Sequence, residues 1–168
     1  MDAYLAVVSK REVRRYAQRP IPEGIVRRIL EAGRVSGSAR NAQPWRFLVI
    51  DGPRQEVAET VYEPDNLRGA ALVVALAMSG KRATGFDAGR VAQNMMLAAW
   101  NDGVGSCPNG VADRERLHGV LGIGEDEQVS IVLSFGYPER PRDPASRSPQ
   151  EWLERANRRP FDDVVDRR

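Results

Sequence analysis

Apolar residues recur along this chain at two spacings, and each predicts a different kind of element. Tyr4, Leu5 and Val8 share one face of a short helix over Asp2–Ser9, with Asp2 as its N-cap. Ile25, Val26, Ile29 and Leu30 form the stripe of a second helix over Pro22–Arg34, with Pro22 in its first turn, where a missing N–H costs nothing. Trp45–Ile50 reads as a strand stopped by Asp51-Gly52-Pro53, and Arg54–Tyr62 as a short amphipathic helix. Ala70–Met78 is apolar without alternation, as in a central strand covered on both faces. Ser79–Gly85 is a predicted loop. Its Gly80-Lys81-Arg82 is not a phosphate loop, because Arg stands where Ser or Thr would hold magnesium.

Phe86–Asp102 is the longest predicted helix, closed by Gly103. From Val91 to Trp100 only Gln93 and Asn94 interrupt its apolar surface, which predicts burial deep in the fold or in a subunit interface. Gly89 within it costs ~1 kcal/mol relative to Ala, and close packing against another backbone would account for it. Gly103–Gly110 is a predicted loop, either a plain turn or one whose N–H groups approach a ligand. It is not a dinucleotide fingerprint, because Pro108 takes the third glycine position and the segment follows a helix. Asp113 caps a helix to Leu121, ended by Gly122. Val129–Phe135 is a third strand, ended by Gly136-Tyr137-Pro138. Glu139–Ser148 is an arm without hydrophobic pattern, and Ser148-Pro149 restarts a helix carrying Trp152 and Leu153. The expectation is one domain over residues 1–168, without internal repeats.

Composition narrows the function. With 42% hydrophobic and 29% charged residues the chain is an ordinary globular one. One cysteine (Cys107) and one histidine (His118) exclude an internal disulfide and argue against a zinc site or a His-dependent hydrolase. No apolar run approaches the ~18 residues of a membrane span, and no basic-then-apolar leader opens the chain, so a cytoplasmic protein is expected. Residues 1–46 hold 10 Lys+Arg against 4 acids, whereas residues 47–138 hold 7 against 12. This short basic end suits a small anionic ligand better than nucleic acid. His118 reads as a surface residue and Cys107 as a small pocket-lining one.

Two stretches carry candidate chemistry. Ser36–Ile50 is a polar loop with Ser38, Asn41 and Gln43 that runs into a strand at Pro44-Trp45. Alone, such side chains serve their own backbone or a ligand. Lys10–Tyr16 breaks the helical pattern and concentrates positive charge, either as a solvated turn or as an anion site.

In order, these pieces resemble the FMN-dependent nitroreductase family over about Val8–Val165. Lys10-Arg11-Glu12-Val13-Arg14 is similar to its Arg-Arg-Ser-x-Arg motif, and Gly37–Trp45 to its Pro-Ser-x-x-Asn-x-Gln-Pro-Trp loop. Asp87-x-Gly89-x-x-x-Gln93-Asn94 is similar to its central helix. Gly103–Ser106 with Pro108-Asn109-Gly110 resembles its glycine loop, and Gly136-Tyr137-Pro138 with Arg159-Pro160 its C-terminal signature.

The resemblance implies an α+β fold with a mixed central β-sheet surrounded by helices. It implies a homodimer with FMN at the interface, and residues 139–168 as an exchanged arm on the partner. It implies an enzyme in which NADH or NADPH gives hydride to flavin N5, followed by transfer to a small-molecule acceptor such as a nitroaromatic or quinone. Arg14 would stabilise charge at flavin N1 and the C2 carbonyl. Lys10, Arg11 and Arg159, or Arg158 if the tail shifts by one, would bind the phosphate. Ser38, Asn41 and Gln43 would wall the flavin from the partner subunit, and a backbone N–H near Asn109 or Gly110 would face N5. No metal, nucleic acid or membrane is implied. The alternatives are a non-catalytic flavin-binding or flavin-handling protein, and a specialised dehalogenase or dehydrogenase.

Three departures bear on this. Glu12 replaces the motif's Ser, and like charges ~5 Å apart cost roughly 3 kcal/mol at an effective dielectric of ~20. Gly37 replaces a proline. Residues 51–86 leave little room for a lid, which predicts a pocket open on one side or covered by something outside this chain.

Overall fold

The apolar runs fold into a four-stranded sheet of β1 (Trp45–Val49), β2 (Leu72–Ser79), β3 (Gly105–Asn109) and β4 (Glu127–Gly136), in the order β1-β2-β4-β3. The computed structural model describes residues 1–80 and 85–168, so of the loop expected over Ser79–Gly85, Lys81–Thr84 lie outside the described residues. The helices are α1 (Ala3–Ser9), α2 (Glu23–Arg34), α3 (Arg54–Ala58), α4 (Asp65–Arg68), α5 (Gly85–Asn101), α6 (Arg114–Leu121) and α7 (Pro149–Glu154). The chain divides into two compact units, Arg11–Arg142 and a smaller one that joins Met1–Lys10 to Asp143–Arg168.

In the larger unit β2 is covered on both faces, which is why its sequence lacks alternation. Leu72, Val74, Leu76 and Met78 share one core with Ile29 of α2 and with Val91, Met95 and Ala99 of α5. Val73 and Ala75 share the other with Val57, Leu67 and Leu117 of α3, α4 and α6. Helix α2 approaches α5 closely through Gly33, where a Cβ would stand 2.8 Å from both Met95 and Phe47. Gly103 closes α5 with φ +74 and Gly122 closes α6 with φ +60, as the glycine C-cap requires.

All three strand pairings are antiparallel. The mixed character expected of the sheet is confined to one isolated parallel bridge, between Glu12 and Ser106. Other differences from the sequence reading have local causes. The helix expected to reach Tyr62 stops at Ala58, because Thr60 and Val61 turn to Val111–Asp113. The Thr60 carbonyl accepts the N–H groups of Ala112 and Asp113, and Val61 bridges Val111. The short α4 follows Pro64 and buries Leu67. Gly105–Asn109 is a strand rather than a loop, because β4 supplies a ladder that glycine and proline do not advertise. Gly89 meets nothing among the described residues within 4 Å of where a Cβ would stand, so none of them supplies the backbone packing expected there. Helix α5 buries Val91, Met95 and Trp100 but exposes Phe86, Arg90, Gln93 and Asn94.

In the smaller unit α1 packs on α7. Asp2 caps α1 by accepting from Leu5 N (2.9 Å), and Ser148 and Glu151 form a capping box on α7. Trp152 is buried and donates its indole N–H to Pro144 O (2.9 Å). Tyr4, Val7, Leu153, Phe161 and Val164 of this unit are exposed. Among the described residues no helix is long and apolar enough to cross a membrane.

Two glycine substitutions should act in opposite directions. Gly119→Ala, in open space inside α6, should stabilise by about 0.5–1 kcal/mol. Gly105→Ala would put a Cβ 2.6 Å from Val13 and should destabilise by about 1–3 kcal/mol. Urea midpoints of the two variants against the parent measure both.

Candidate functional site

The basic segment after α1 is held down on one end of the sheet. Val13 N–H donates to Ser106 O (3.0 Å), Ala17 N–H to Tyr137 O (2.8 Å) and Glu139 N–H to Arg15 O (3.1 Å). Glycine makes this approach possible: a Cβ on Gly105 would stand 2.6 Å from Val13, and one on Gly136 would stand 2.7 Å from Tyr16. With Val13 and Tyr16 turned inward, Glu12, Arg14 and Arg15 turn outward. They line a cleft of about 290 Å³ with Pro138, Glu139, Arg140 and Arg142. Sequence reasoning missed Arg140 and Arg142. The only signal was an Arg-Pro-Arg run just after Tyr137-Pro138, inside an arm without pattern.

Beneath the segment lies a buried polar network. Tyr16 Oη donates to Val13 O (2.6 Å) and stands 3.0 Å from Ser134 Oγ. Burial pushes the Tyr16 phenol above the ordinary tyrosine range, and the Ser134 hydrogen bond opposes the shift only in part. Asn109 Nδ2 lies 3.0 Å from Cys107 O and 3.1 Å from both Val132 O and Ser134 Oγ. The Asn109 side chain therefore serves the sheet. Ser106 Oγ and Asn109 Oδ1 are buried without a hydrogen-bond partner among the described residues. Such orphaned acceptors are uncommon inside proteins.

Strand β3 pairs only with β4, and its other edge is covered by Glu12–Val13 at Ser106. Because Ser106 O points to that outer edge, the alternation sends Pro108 and Gly110 outward and turns Cys107 and Asn109 toward β4. Pro108 has no N–H, so the first outward donor beyond Ser106 is that of Gly110.

The polar loop serves itself within this chain. Ser38 Oγ accepts from Gln43 N (2.9 Å), and Gln43 Nε2 donates to Asn41 O (3.2 Å). Arg40, Asn41 and Gln43 all have positive φ, at 55°, 54° and 49°. Three non-glycine residues in that region within four positions is a concentration of strain of the kind found at functional sites. Helix α5 anchors the loop's start, where Asn94 Nδ2 donates to Ser36 Oγ (2.8 Å) and the Arg90 guanidinium lies against Gly37.

Arg14 and the polar loop stand at opposite ends of the sheet. The loop's Pro44 O accepts from Ser79 N–H (2.8 Å), while the Arg14 segment lies at Ser106, which pairs with Phe135 opposite Leu72. Leu72 and Ser79 are the two ends of β2, on the order of 20 Å apart. One copy of the larger unit therefore does not bring Arg14 together with Ser38, Asn41 and Gln43. Arg11 is half-buried. Lys10, buried, and Arg158 and Arg159, exposed, belong to the smaller unit. There Asn157 (φ 51) turns the chain and Arg158 Nη1 donates to Ala156 O (2.7 Å).

Two further candidates have structural roles. His118 Nε2 accepts from Val129 N–H (3.5 Å) and Arg114 Nη1 donates to Val129 O (2.9 Å). Together they cover β4 where it runs past the end of β3, protecting an otherwise open edge. Cys107 is buried, with its Sγ 3.9 Å from Asn66 Nδ2 and 3.5 Å from Pro108 O.

The profile of the Nitroreductase family matches residues 7–72 and 54–137 of this chain. A protein of Thermus thermophilus named NADH dehydrogenase is 27% identical over 194 residues, covering 90% of this chain and 94% of its own. The structure of a Desulfovibrio desulfuricans protein described as a nitroreductase, in complex with FMN, superposes with a TM-score of 0.82 at 26% identity, covering 100% of this chain and 98% of that one. That of the NADPH:FMN oxidoreductase of Vibrio harveyi, complexed with NAD+, gives 0.82 at 20% identity, covering 96% and 75%.

Tyr16 yields a test of the buried network. Its raised pKa means that the folded state holds the phenol proton more tightly than the unfolded state. This contribution to stability is complete below the ordinary value of about 10 and is lost as pH rises above it. Tyr16→Phe should lower stability by about 1–2 kcal/mol at neutral pH and flatten its decline at alkaline pH. Denaturation midpoints across the alkaline range would show both effects.

Proposed function

Because the chain belongs to the nitroreductase family, we propose that it is an FMN-dependent NAD(P)H oxidoreductase acting as a homodimer. The observation that carries this reading is the Glu12–Tyr16 segment seated over Gly105 and Gly136, which turns Arg14 outward into a cleft that it lines with Arg15, Arg140 and Arg142. Guanidinium donors held by a backbone-paired segment form a donor set that fits a phosphorylated, carbonyl-rich flavin. The similarity to a protein named NADH dehydrogenase and to a nitroreductase solved in complex with FMN supports the same cofactors.

When bound, FMN supplies the hydride chemistry between NAD(P)H and an acceptor such as a nitroaromatic or quinone. This chain supplies fixed charge and orientation. Arg14 presents a cation where negative charge collects, at N1 and the C2 carbonyl. The phosphate is assigned by motif to Lys10, Arg11 and Arg159, with Arg158 the alternate. Of Asn109 and Gly110, the strand alternation favours the Gly110 N–H as the donor toward N5. Ser38, Asn41 and Gln43 would wall the flavin of the other copy, a reading supported by their distance from Arg14 along the sheet. The exposed apolar residues of the smaller unit support residues 139–168 as an arm that packs on the partner.

A second reading, a flavin-handling protein without turnover, is favoured by one observation: Glu12 lines the same cleft as Arg14. Stopped-flow mixing separates the two. Purified protein should absorb near roughly 370 and 450 nm, as bound oxidised flavin does, and NADH or NADPH should bleach the longer-wavelength band. Flavin that neither reductant bleaches would leave the second reading standing. Arg14→Ala should weaken FMN binding or slow bleaching by about tenfold or more while the dimer persists on gel filtration. Unchanged values would remove its role.

A further inference from the structure

The cleft around Arg14 holds more positive charge than the family's motifs assign to it. Arg14, Arg15, Arg140 and Arg142 line it with two carboxylates, Glu12 and Glu139. Among the described residues none of these four guanidinium groups is paired with a carboxylate. Arg28, Arg46, Arg68 and Arg116 of the same unit instead pair with Asp102, Glu127, Asp65 and Glu59. The two ends of the cleft are also held in register, since Glu139 N–H donates to Arg15 O and Tyr16 bridges Pro138. Arg140 and Arg142 are therefore carried to the Glu12–Arg15 segment by backbone pairing.

We propose that this cleft binds a phosphate monoester dianion, with Arg140 and Arg142 as its ligands from outside the family motifs. A guanidinium offers paired donors to phosphate oxygens, and four of them outweigh the two carboxylates. The assignment also answers Glu12. A carboxylate where the motif has Ser repels a dianion, and Arg140 and Arg142 supply the compensating charge from across the same cleft. The proposal rests on the flavin reading, which names two sources for the dianion: the 2′-phosphate that distinguishes NADPH from NADH, and the 5′-phosphate of FMN, which in this cleft would make Arg14 a phosphate ligand in place of its assignment at N1 and the C2 carbonyl.

Two ligand pairs, each differing only in a phosphate, distinguish these sources on the full-length chain. FMN and riboflavin are titrated into flavin-free protein and followed by flavin fluorescence. 2′,5′-ADP and 5′-AMP are titrated calorimetrically. The parent should prefer the phosphorylated member of one pair by about tenfold or more, and R140A/R142A should lose that preference while its affinity for the other member stays unchanged. R140K/R142K should restore it in part. Loss in the flavin pair assigns the cleft to the flavin phosphate, and loss in the adenosine pair assigns it to the reductant. Preferences that survive R140A/R142A, equal weakening of all four ligands, or no preference in the parent overturn the proposal. A protein that binds neither flavin yet separates 2′,5′-ADP from 5′-AMP would sink the flavin reading and leave the cleft standing.

Discussion

The close approach of Val13 and Tyr16 to the backbone of β3 and β4 sets the geometry of everything built around Arg14. A Cβ at Gly105 or Gly136 would overlap those side chains, so the two glycines decide how near the basic segment lies to the sheet. Once Val13 and Tyr16 fill that space, the alternation of an extended chain turns Glu12 and Arg14 outward. The buried hydroxyl of Tyr16 then ties the segment to Val13 O and to Ser134, next to the Asn109 amide that spans β3 and β4. A buried network of this kind is costly when incomplete and rigid when satisfied. The cation is therefore positioned by packing and hydrogen bonds formed before any ligand arrives.

The same constraint accounts for the glycine-rich character of Gly103–Gly110 without a ligand. Gly103 is a helix cap at positive φ and Gly105 makes room for Val13. Beyond Ser106 the outer edge runs through Pro108, which has no N–H, to Gly110, whose carbonyl accepts from Tyr62 N–H (3.1 Å).

Much of the fold was legible because its signals are local. The Asp2 cap, the α2 stripe, the unalternating β2 and the Gly122 stop each follow from a few neighbouring residues. The misreadings share a non-local cause. Strand β3 carries little strand propensity and exists because β4 pairs with it. The helix ending at Ala58 yields to a bridge with Val111, fifty residues away. Gly89 suggested backbone packing that none of the described residues supplies. At the site, the residue types of the motifs were readable, whereas Arg140 and Arg142 were not, because a Pro-Arg arm looks the same whether its arginines meet solvent or another arginine cluster.

The strained loop and the exposed face of α5 are best understood together. Arg40, Asn41 and Gln43 hold positive φ at a cost of order 1 kcal/mol or more each, and the hydrogen bonds among Ser38, Asn41 and Gln43 do not require three such residues. Gly89 adds ~1 kcal/mol of helix penalty, and no described residue uses the space it leaves. Both features border α5, through Arg90 on Gly37 and Asn94 on Ser36. In the homodimer we propose, the strain presents Ser38 and Asn41 to the other copy's Arg14, and the bare helix face lets that copy approach closely. On that reading the costs stored at one end of the sheet and the unpaired cations at the other belong to one site, and two chains are needed to complete it.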